Sequence, residues 1–386
     1  MSREVYVLGA ARTPIGGFQG ALATLAAPEL GAHAIRACVD QTGIDTAGID
    51  EVIMGNVISA GLKQAPARQA MRIAGLPDAV AAVTLNKVCG SGMKAAMLGC
   101  DLIRAGSADV VISGGMESMT NAPYLLGKAR SGLRMGHSDL QDSMFLDGLE
   151  DAETGAAMGS FAQQTADEYQ LSREAMDAYA IESVTRARTA IETGSLTHEI
   201  EPMAVGTTMI TDDEQPGRAR IERIPTLRPA FKADGTITAA NSSSISDGAS
   251  ALLLASESQL ANRPPLARIV AHTTHSRHPS EFTIAPVGAI NKLLELTGWQ
   301  VAEIDLFEIN EAFAMVTMLA IQELNLDPER VNIYGGACAQ GHPIGSTGSR
   351  LIVTLAHAMQ QLDKKRGIAA LCIGGGEATA VALERI

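Results

Sequence analysis

The run Ile49-Asp50-Glu51-Val52-Ile53-Met54-Gly55-Asn56 returns 255 positions later as Ile304-Asp305-Leu306-Phe307-Glu308-Ile309-Asn310. Both are short apolar β-type runs that end in turn residues. The same shift carries Cys89, in the turn Asn86-Lys87-Val88-Cys89-Gly90-Ser91-Gly92, onto Ile344, within Gly341-His342-Pro343-Ile344-Gly345-Ser346-Thr347-Gly348. Each turn leads into an apolar helix and then a strand ending in glycines, Ser113-Gly114-Gly115 in one half and Ile373-Gly374-Gly375-Gly376 in the other. Such an echo predicts a duplicated α/β unit. Two copies packed about a pseudo-twofold axis bring equivalent strand ends together, so Cys89, Asn310, His342 and Cys372 are expected in one cleft.

Cys89 carries the most chemistry. Ala82-Val83-Thr84-Leu85 before it reads as a strand, and Met93, Met97, Cys100 and Ile103 after it recur at helical spacing until Gly106 offers a C-cap. Cys89 therefore falls at a helix N-terminus, where unpaired N–H groups and the positive dipole end lower a thiol pKa and make it a nucleophile. Gly90 and Gly92 leave room for a carbonyl. The bland alternative is a small buried hydrophobe. A second alternative is a dinucleotide site, because Gly90-Ser91-Gly92-Met93-Lys94-Ala95 fits G-x-G-x-x-A. That fingerprint needs an acidic residue at the end of the next strand. Asp109 precedes the strand Val110-Val111-Ile112-Ser113, and Glu117 lies beyond a Gly-Gly turn, so a nicotinamide dehydrogenase fits poorly.

A chain of 386 residues with 46% apolar content has room for two or three domains. No apolar run reaches membrane-span length, and Ser2-Arg3-Glu4 leads directly into the strand Val5-Tyr6-Val7-Leu8 without a signal peptide, which points to the cytoplasm. Five cysteines without paired spacing read as free thiols in a reducing compartment. A formal charge of -13 argues against nucleic-acid or anionic-membrane binding, while allowing a phosphate-bearing ligand held by a few local cations. His272, His275 and His278 precede Pro279 with no Cys or carboxylate cluster to complete a site, so no metal is expected.

A helix is expected from about Ala27 to Thr42. From about Met119 to Ala240 the composition changes. Tyr124 to Asp151 is loop-like with Lys128, Arg130 and Arg134. A long helix is predicted from an N-cap at Ser172 to a C-cap at Gly194, with Met176, Tyr179, Ser183, Ala187 and Ile191 on one face. Asp212-Asp213-Glu214-Gln215-Pro216-Gly217 reads as a solvated turn. Asn241-Ser242-Ser243-Ser244-Ile245-Ser246-Asp247-Gly248 then returns the chain to the strand Ala251-Leu252-Leu253-Leu254.

With Gly114-Gly115-Met116-Glu117-Ser118-Met119, Asn310-Glu311-Ala312-Phe313, Gly341-His342-Pro343 and Cys372-Ile373-Gly374-Gly375-Gly376 added to the Cys89 turn, the chain resembles the thiolases, acetyl-CoA acetyltransferases and 3-ketoacyl-CoA thiolases. The resemblance runs from Ala10-Ala11-Arg12-Thr13-Pro14 to the last strand. It implies an α/β fold of two βαβαβαββ halves forming a five-layered αβαβα core with an inserted loop domain. The implied division is 1–118 plus 241–266, the insertion 119–240, and 267–386.

The resemblance also implies roles. Cys89 takes the acyl group as a thioester, His342 accepts its proton, and Cys372 moves the α-proton of acetyl-CoA. His342 and a water held by Asn310 bind the enolate, and backbone N–H groups of Cys89 and Gly374 bind the tetrahedral adduct. Ser243 matches a serine that touches pantetheine, within Asn241-Ser242-Ser243-Ser244, where the family has Asn-Ala-Ser-Gly. Met158 and Gly159 match the family's Tyr-His-Met-Gly, but the Tyr and His are Ala156 and Ala157, which implies a more open, less polar acyl pocket. Arg218 and Arg220 stand where the family often places basic residues near the nucleotide phosphates, and they equally fit a solvated surface.

The implied reaction is reversible condensation of two acetyl-CoA to acetoacetyl-CoA plus CoA, or cleavage of longer 3-ketoacyl-CoA in fatty-acid metabolism, with no permanently bound cofactor. Tyr124 to Ser143 matches the loop that joins dimers in tetrameric members, so a homotetramer is expected, with a dimer as the alternative. A ketoacyl synthase relative would share the duplicated fold, but Cys372 at its glycine-rich strand end argues against it. A non-catalytic lipid-binding scaffold would have little need of all four side chains.

Overall fold

In the computed structural model, which describes residues 3–261 and 263–386, both halves are built in the same order. The first runs β1 (Val5–Arg12), α1 (Ala27–Thr42), β2 (Glu51–Gly55), α2 (Pro66–Ile73), β3 (Ala81–Leu85), α3 (Ser91–Ala105) and β4 (Val110–Ser118). An inserted segment follows, with α4 (Met158–Glu168) and α5 (Arg173–Glu192), before β5 (Ser246–Ser256) closes this half. The second half runs β6 (Ala267–Ser276), α6 (Ala285–Thr297), β7 (Leu306–Ile309), α7 (Ala314–Leu324), α8 (Thr347–Gln361), β8 (Arg366–Ile373) and β9 (Glu377–Glu384).

Strand order is β3-β2-β4-β5-β1 in one half and β7-β8-β9-β6 in the other, joined where Tyr6 and Val7 of β1 pair with Arg268 and Ala267 of β6. The place of β3 is reduced in the second half to a parallel bridge between Phe307 and Val331. Helices α1 and α2 bury Leu30, Ile35 and Met71 against the first half, and α6 and α7 bury Ile290, Leu293 and Leu324 against the second. Between the two sets of strands, α3 contributes Met93, Met97, Cys100 and Ile103, and α8 contributes Leu351, Leu355 and Met359 to one apolar cluster. The result is five layers, αβαβα.

The echo persists in individual hydrogen bonds. Asp50 Oδ2 accepts from the N–H groups of Asp109 and Val110 at 2.6 and 3.0 Å, tying the start of β2 to that of β4. Asp305 Oδ2 accepts from those of Lys365 and Arg366 at 2.8 and 2.9 Å, tying β7 to β8. Helices α1 and α6 both end on a left-handed glycine, Gly43 at φ 58° and Gly298 at φ 71°, where a Cβ would clash with the following carbonyl.

Within the insertion, Ser172 caps α5 by accepting from the Ala175 N–H at 3.1 Å; the helix ends at Glu192, and Gly194 has a positive φ. Met176, Ser183 and Ala187 are buried, Tyr179 and Ile191 partly so. The turn expected to be solvated at 212–217 is instead an anchor. Asp213 is buried, accepting both terminal nitrogens of Arg12 at 2.7 and 2.9 Å and the Ile15 N–H at 2.8 Å, while Arg12 Nε meets Glu199 at 2.6 Å. Local polarity suggests exposure there, but a buried arginine from β1 needs both carboxylates. Among the described residues no helix is long and apolar enough to cross a membrane.

Candidate active site

Strands β2, β3 and β4 run parallel in one half and β7 and β8 in the other, and the turns that leave the carboxyl ends of β3, β7 and β8 carry Cys89, Asn310 and Gly374. After β3 the chain makes a tight turn in which Val88 is held at φ 47°. A β-branched residue in this region is strained by about 1–3 kcal/mol. Ser91 holds the turn, accepting from the Lys87 N–H at 2.8 Å and donating to the Val88 carbonyl at 2.7 Å. Cys89 thus stands immediately before α3. The expected fall in its pKa does not follow: burial pushes the thiol up to about 11, outweighing the backbone N–H groups of Gly374 and Cys89 that favour thiolate.

His342 enters from the other half. Its N–H donates to the Ser244 carbonyl at 3.1 Å, and Nδ1 lies 2.6 Å from Thr347 Oγ1, which is itself 3.0 Å from the Pro343 carbonyl. When Thr347 donates to that carbonyl it accepts Nδ1–H, leaving Nε2 as a lone pair. Turned round, it donates to Nδ1, and Nε2 carries the proton. Nε2 is buried and unpartnered within the chain, and burial, with Arg350 nearby, pushes the imidazole down to about 3. It is a neutral ring whose free nitrogen can accept or donate.

Cys89, His342 and Gly374 line a cavity of about 410 Å³, together with Met158, Ser242 and Ser243. Cys372 and Asn310 are brought near but lie behind that surface, both completely buried. The Cys372 thiol is raised well above its ordinary range, first by burial and then by the neighbouring Cys89. Asn310 fixes its backbone by donating to the Ala370 carbonyl at 3.0 Å, and neither atom of its side-chain amide has a partner in the chain. Such a buried amide is suited to hold a water.

The serine loop divides its labour. Ser242 Oγ donates to the Thr238 carbonyl at 2.7 Å, bracing the loop, and the Ser243 N–H donates to the Ala312 carbonyl at 2.9 Å. Arg218 and Arg220 do not reach the main cavity. They line an adjoining depression of about 310 Å³ that shares Ala239 and Ser244 with it, and Arg218 pairs with Glu214 at 2.5 Å. Arg223, which sequence reading passed over, joins them. Also missed were the walls: Phe231, Phe282 and Phe313, with Phe313 edge-on to both others, and the aliphatic side chains of Met119, Leu149, Ile245 and Ile344. Ala157 lines the cavity as well. The three histidines of β6 and its flank are separate: His272 meets Asp101 at 2.9 Å, and His278 Nδ1 lies 2.9 Å from Ser280.

A duplicated five-layered core with a cysteine turn from one half facing a neutral histidine from the other defines the thiolase class of α/β protein. Residues 5–258 match the thiolase N-terminal domain, and 263–385 match the thiolase C-terminal domain. A protein named acetyl-CoA acetyltransferase from Pseudomonas aeruginosa is 48% identical over 391 residues, 99% of this chain and 100% of that protein. One of the same name from Schizosaccharomyces pombe is 44% identical, with 100% of both chains covered. A thiolase of Ascaris suum, crystallised with coenzyme A, superposes with a TM-score of 0.95 at 41% identity over 100% of both chains. The chain belongs to the thiolase family.

Proposed function

We propose that the protein is an acetyl-CoA acetyltransferase that joins two acetyl-CoA into acetoacetyl-CoA and CoA, and cleaves acetoacetyl-CoA in reverse. The observation that carries the reading is the meeting of Cys89, an unpartnered His342 Nε2 and the Gly374 N–H on one apolar cavity. Cys89 Sγ attacks the thioester carbonyl as its proton passes to Nε2, the adduct oxyanion rests on the N–H groups of Cys89 and Gly374, and CoA leaves with the proton. Cys372 then gives its proton to His342 Nε2, and the resulting thiolate takes an α-proton from the second acetyl-CoA. The enolate oxygen is held by His342 Nε2–H and a water on Asn310, and the new carbon–carbon bond expels Cys89 as a thiolate, which recovers its proton from Nε2.

Pantetheine fits the cavity along Met158, Ser242 and Ser243, placing the nucleotide phosphates toward Arg218, Arg220 and Arg223. No cofactor or metal enters these steps. The 124–143 segment exposes Tyr124, Leu126, Leu133, Met135 and Leu140 around a hairpin, supporting burial in a homotetramer. We place the protein in the cytoplasm, with domain limits at 118/119, 240/241 and 266/267.

A broader 3-ketoacyl-CoA thiolase, acting in fatty-acid metabolism, is the second reading, favoured by Ala157 and the apolar wall. Cleavage of acetoacetyl-CoA and of a C6 to C10 3-ketoacyl-CoA series decides between them. Activity confined to acetoacetyl-CoA is the expected result, comparable cleavage of longer chains establishes the second, and no cleavage of any member removes both.

A thiol raised to about 11 and an imidazole lowered to about 3 are both neutral at rest. Iodoacetamide consumes thiolate, so alkylation of Cys89 is expected to rise about tenfold per pH unit from about pH 5 to about pH 9. A flat profile over that range would mean a thiolate already formed, its proton held by His342.

A further inference from the structure

Glu117, in the Gly114-Gly115-Met116-Glu117-Ser118-Met119 run, takes no part in the chemistry above, yet it is completely buried at the end of β4. Its carboxylate gathers donors from the loop after β2: Asn56 Nδ2 at 2.7 Å, the Val57 N–H at 3.0 Å and the Ile58 N–H at 3.2 Å. A further donor, the Gly345 N–H, comes from the opposite half. Burial lifts the carboxyl to about 7 against the N–H groups of Val57, Ile58 and Gly345, with Asp247 adding to the rise. Neutral dipoles alone therefore hold this group.

The seat it shares with Gly345 is tight. A Cβ on Gly345 would lie 2.6 Å from Glu117 Oε2, and one on Gly115 would lie 2.0 Å from the Gly345 carbonyl oxygen. No side chain separates the two halves here. Gly345 is three residues from His342, and its neighbour Ile344 packs with Val57, Ile58 and Met119 in the cluster that also contacts Cys89. The backbone bonds made by one carboxylate thus reach both the wall beside the nucleophile and the loop that carries the base.

We propose that Glu117 is a positioning residue for acyl transfer, registering the His342 loop of one half against the Cys89 wall of the other. The proposal rests on the acyl-transfer reading. The carboxylate is needed because its two oxygens accept from several N–H groups at once. A glutamine keeps the shape but turns an NH₂ toward some of those donors. Displacement of His342 by a fraction of an ångström then falls on the chemical step, not on CoA binding.

The test uses Glu117→Gln and Glu117→Asp in the full-length protein, with Asp305→Asn as a control that loosens β7–β8 pairing away from the cavity. In Glu117→Gln, kcat for acetoacetyl-CoA cleavage is expected to fall about 100-fold with KM changed less than about threefold. Alkylation of Cys89 by iodoacetamide should slow in the same proportion. Glu117→Asp, which keeps the charge, should recover about tenfold of the loss. Asp305→Asn should melt earlier while keeping wild-type kcat.

Wild-type kcat in Glu117→Gln, or a loss confined to KM, or a loss no greater than in the Asp305 control, overturns the proposal. If Glu117→Gln does not fold, Glu117→Asp decides: a wild-type kcat and alkylation rate overturn it. Activity that survives Cys89→Ala removes the acyl-transfer reading instead, and this proposal with it.

Discussion

Replacing Cys89 with alanine is expected to lower both condensation and acetoacetyl-CoA cleavage by about 10⁴-fold or more, as loss of a covalent nucleophile does elsewhere. The fold should survive. The side chain lies at the cavity surface, so removing its sulfur opens no sealed void, and the turn is held by Ser91 and its contacts with Lys87 and Val88. Intact mass spectrometry after incubation with acetyl-CoA should show an acetyl adduct on the wild type and none on Cys89→Ala. An adduct that persists would relocate the nucleophile. The next candidate would then be Cys338, which lines the adjoining arginine depression and whose thiol burial and Glu311 raise well above its ordinary range. Cys38 and Cys100 are sealed in the apolar clusters of α1 and α3, out of reach of a thioester.

The architecture was legible because the duplication is written in chemistry that repeats. Asp50 and Asp305 each tie two strand starts, Gly43 and Gly298 each end a helix, and these local roles demand the same residue type in both halves. Ser172 announced α5 by the same kind of local rule. The cleft members Cys89 and His342 were likewise readable, each standing in a glycine-bearing turn that leads into a helix.

Other features depend on what packs around a residue. The dipole of α3 is a local property and suggested a low thiol pKa. Burial, contributed by segments distant in the chain, reverses the sign. Phe231, Phe282 and Phe313 form one wall from three separate segments with no common period. Asp213 looks solvated beside Asp212 and Glu214 until Arg12 is brought against it. Thr347 is one hydroxyl among several until its 2.6 Å approach to His342 is seen.

Cys372→Ala is expected to separate the two half-reactions. On the proposed mechanism, acetylation of Cys89 by acetyl-CoA, and acetyl exchange between acetyl-CoA and labelled CoA, need only Cys89, His342 and the two N–H groups; both should stay within about tenfold of wild type. Carbon–carbon bond formation, and its reversal in acetoacetyl-CoA cleavage, need a proton moved at the α-carbon, and should fall about 10³-fold. The thiol is placed for this by its burial among Phe282, Phe313, Met315 and Val316. A sulfur there is neutral until a proton is drawn to it or from it, and the charge it acquires is not dispersed by water. Cys372→Ser discriminates shape from proton transfer: it fills the site almost as well, yet a hydroxyl is far too weak an acid to exchange the α-proton, so its carbon–carbon chemistry should be lost as in the alanine variant while acetyl exchange persists. Equal loss of both half-reactions in the two variants would make Cys372 a packing residue. Full cleavage activity in Cys372→Ser would require the α-proton to be handled by another group, such as His342 Nε2, which is buried on the cavity without a partner among the described residues of the chain.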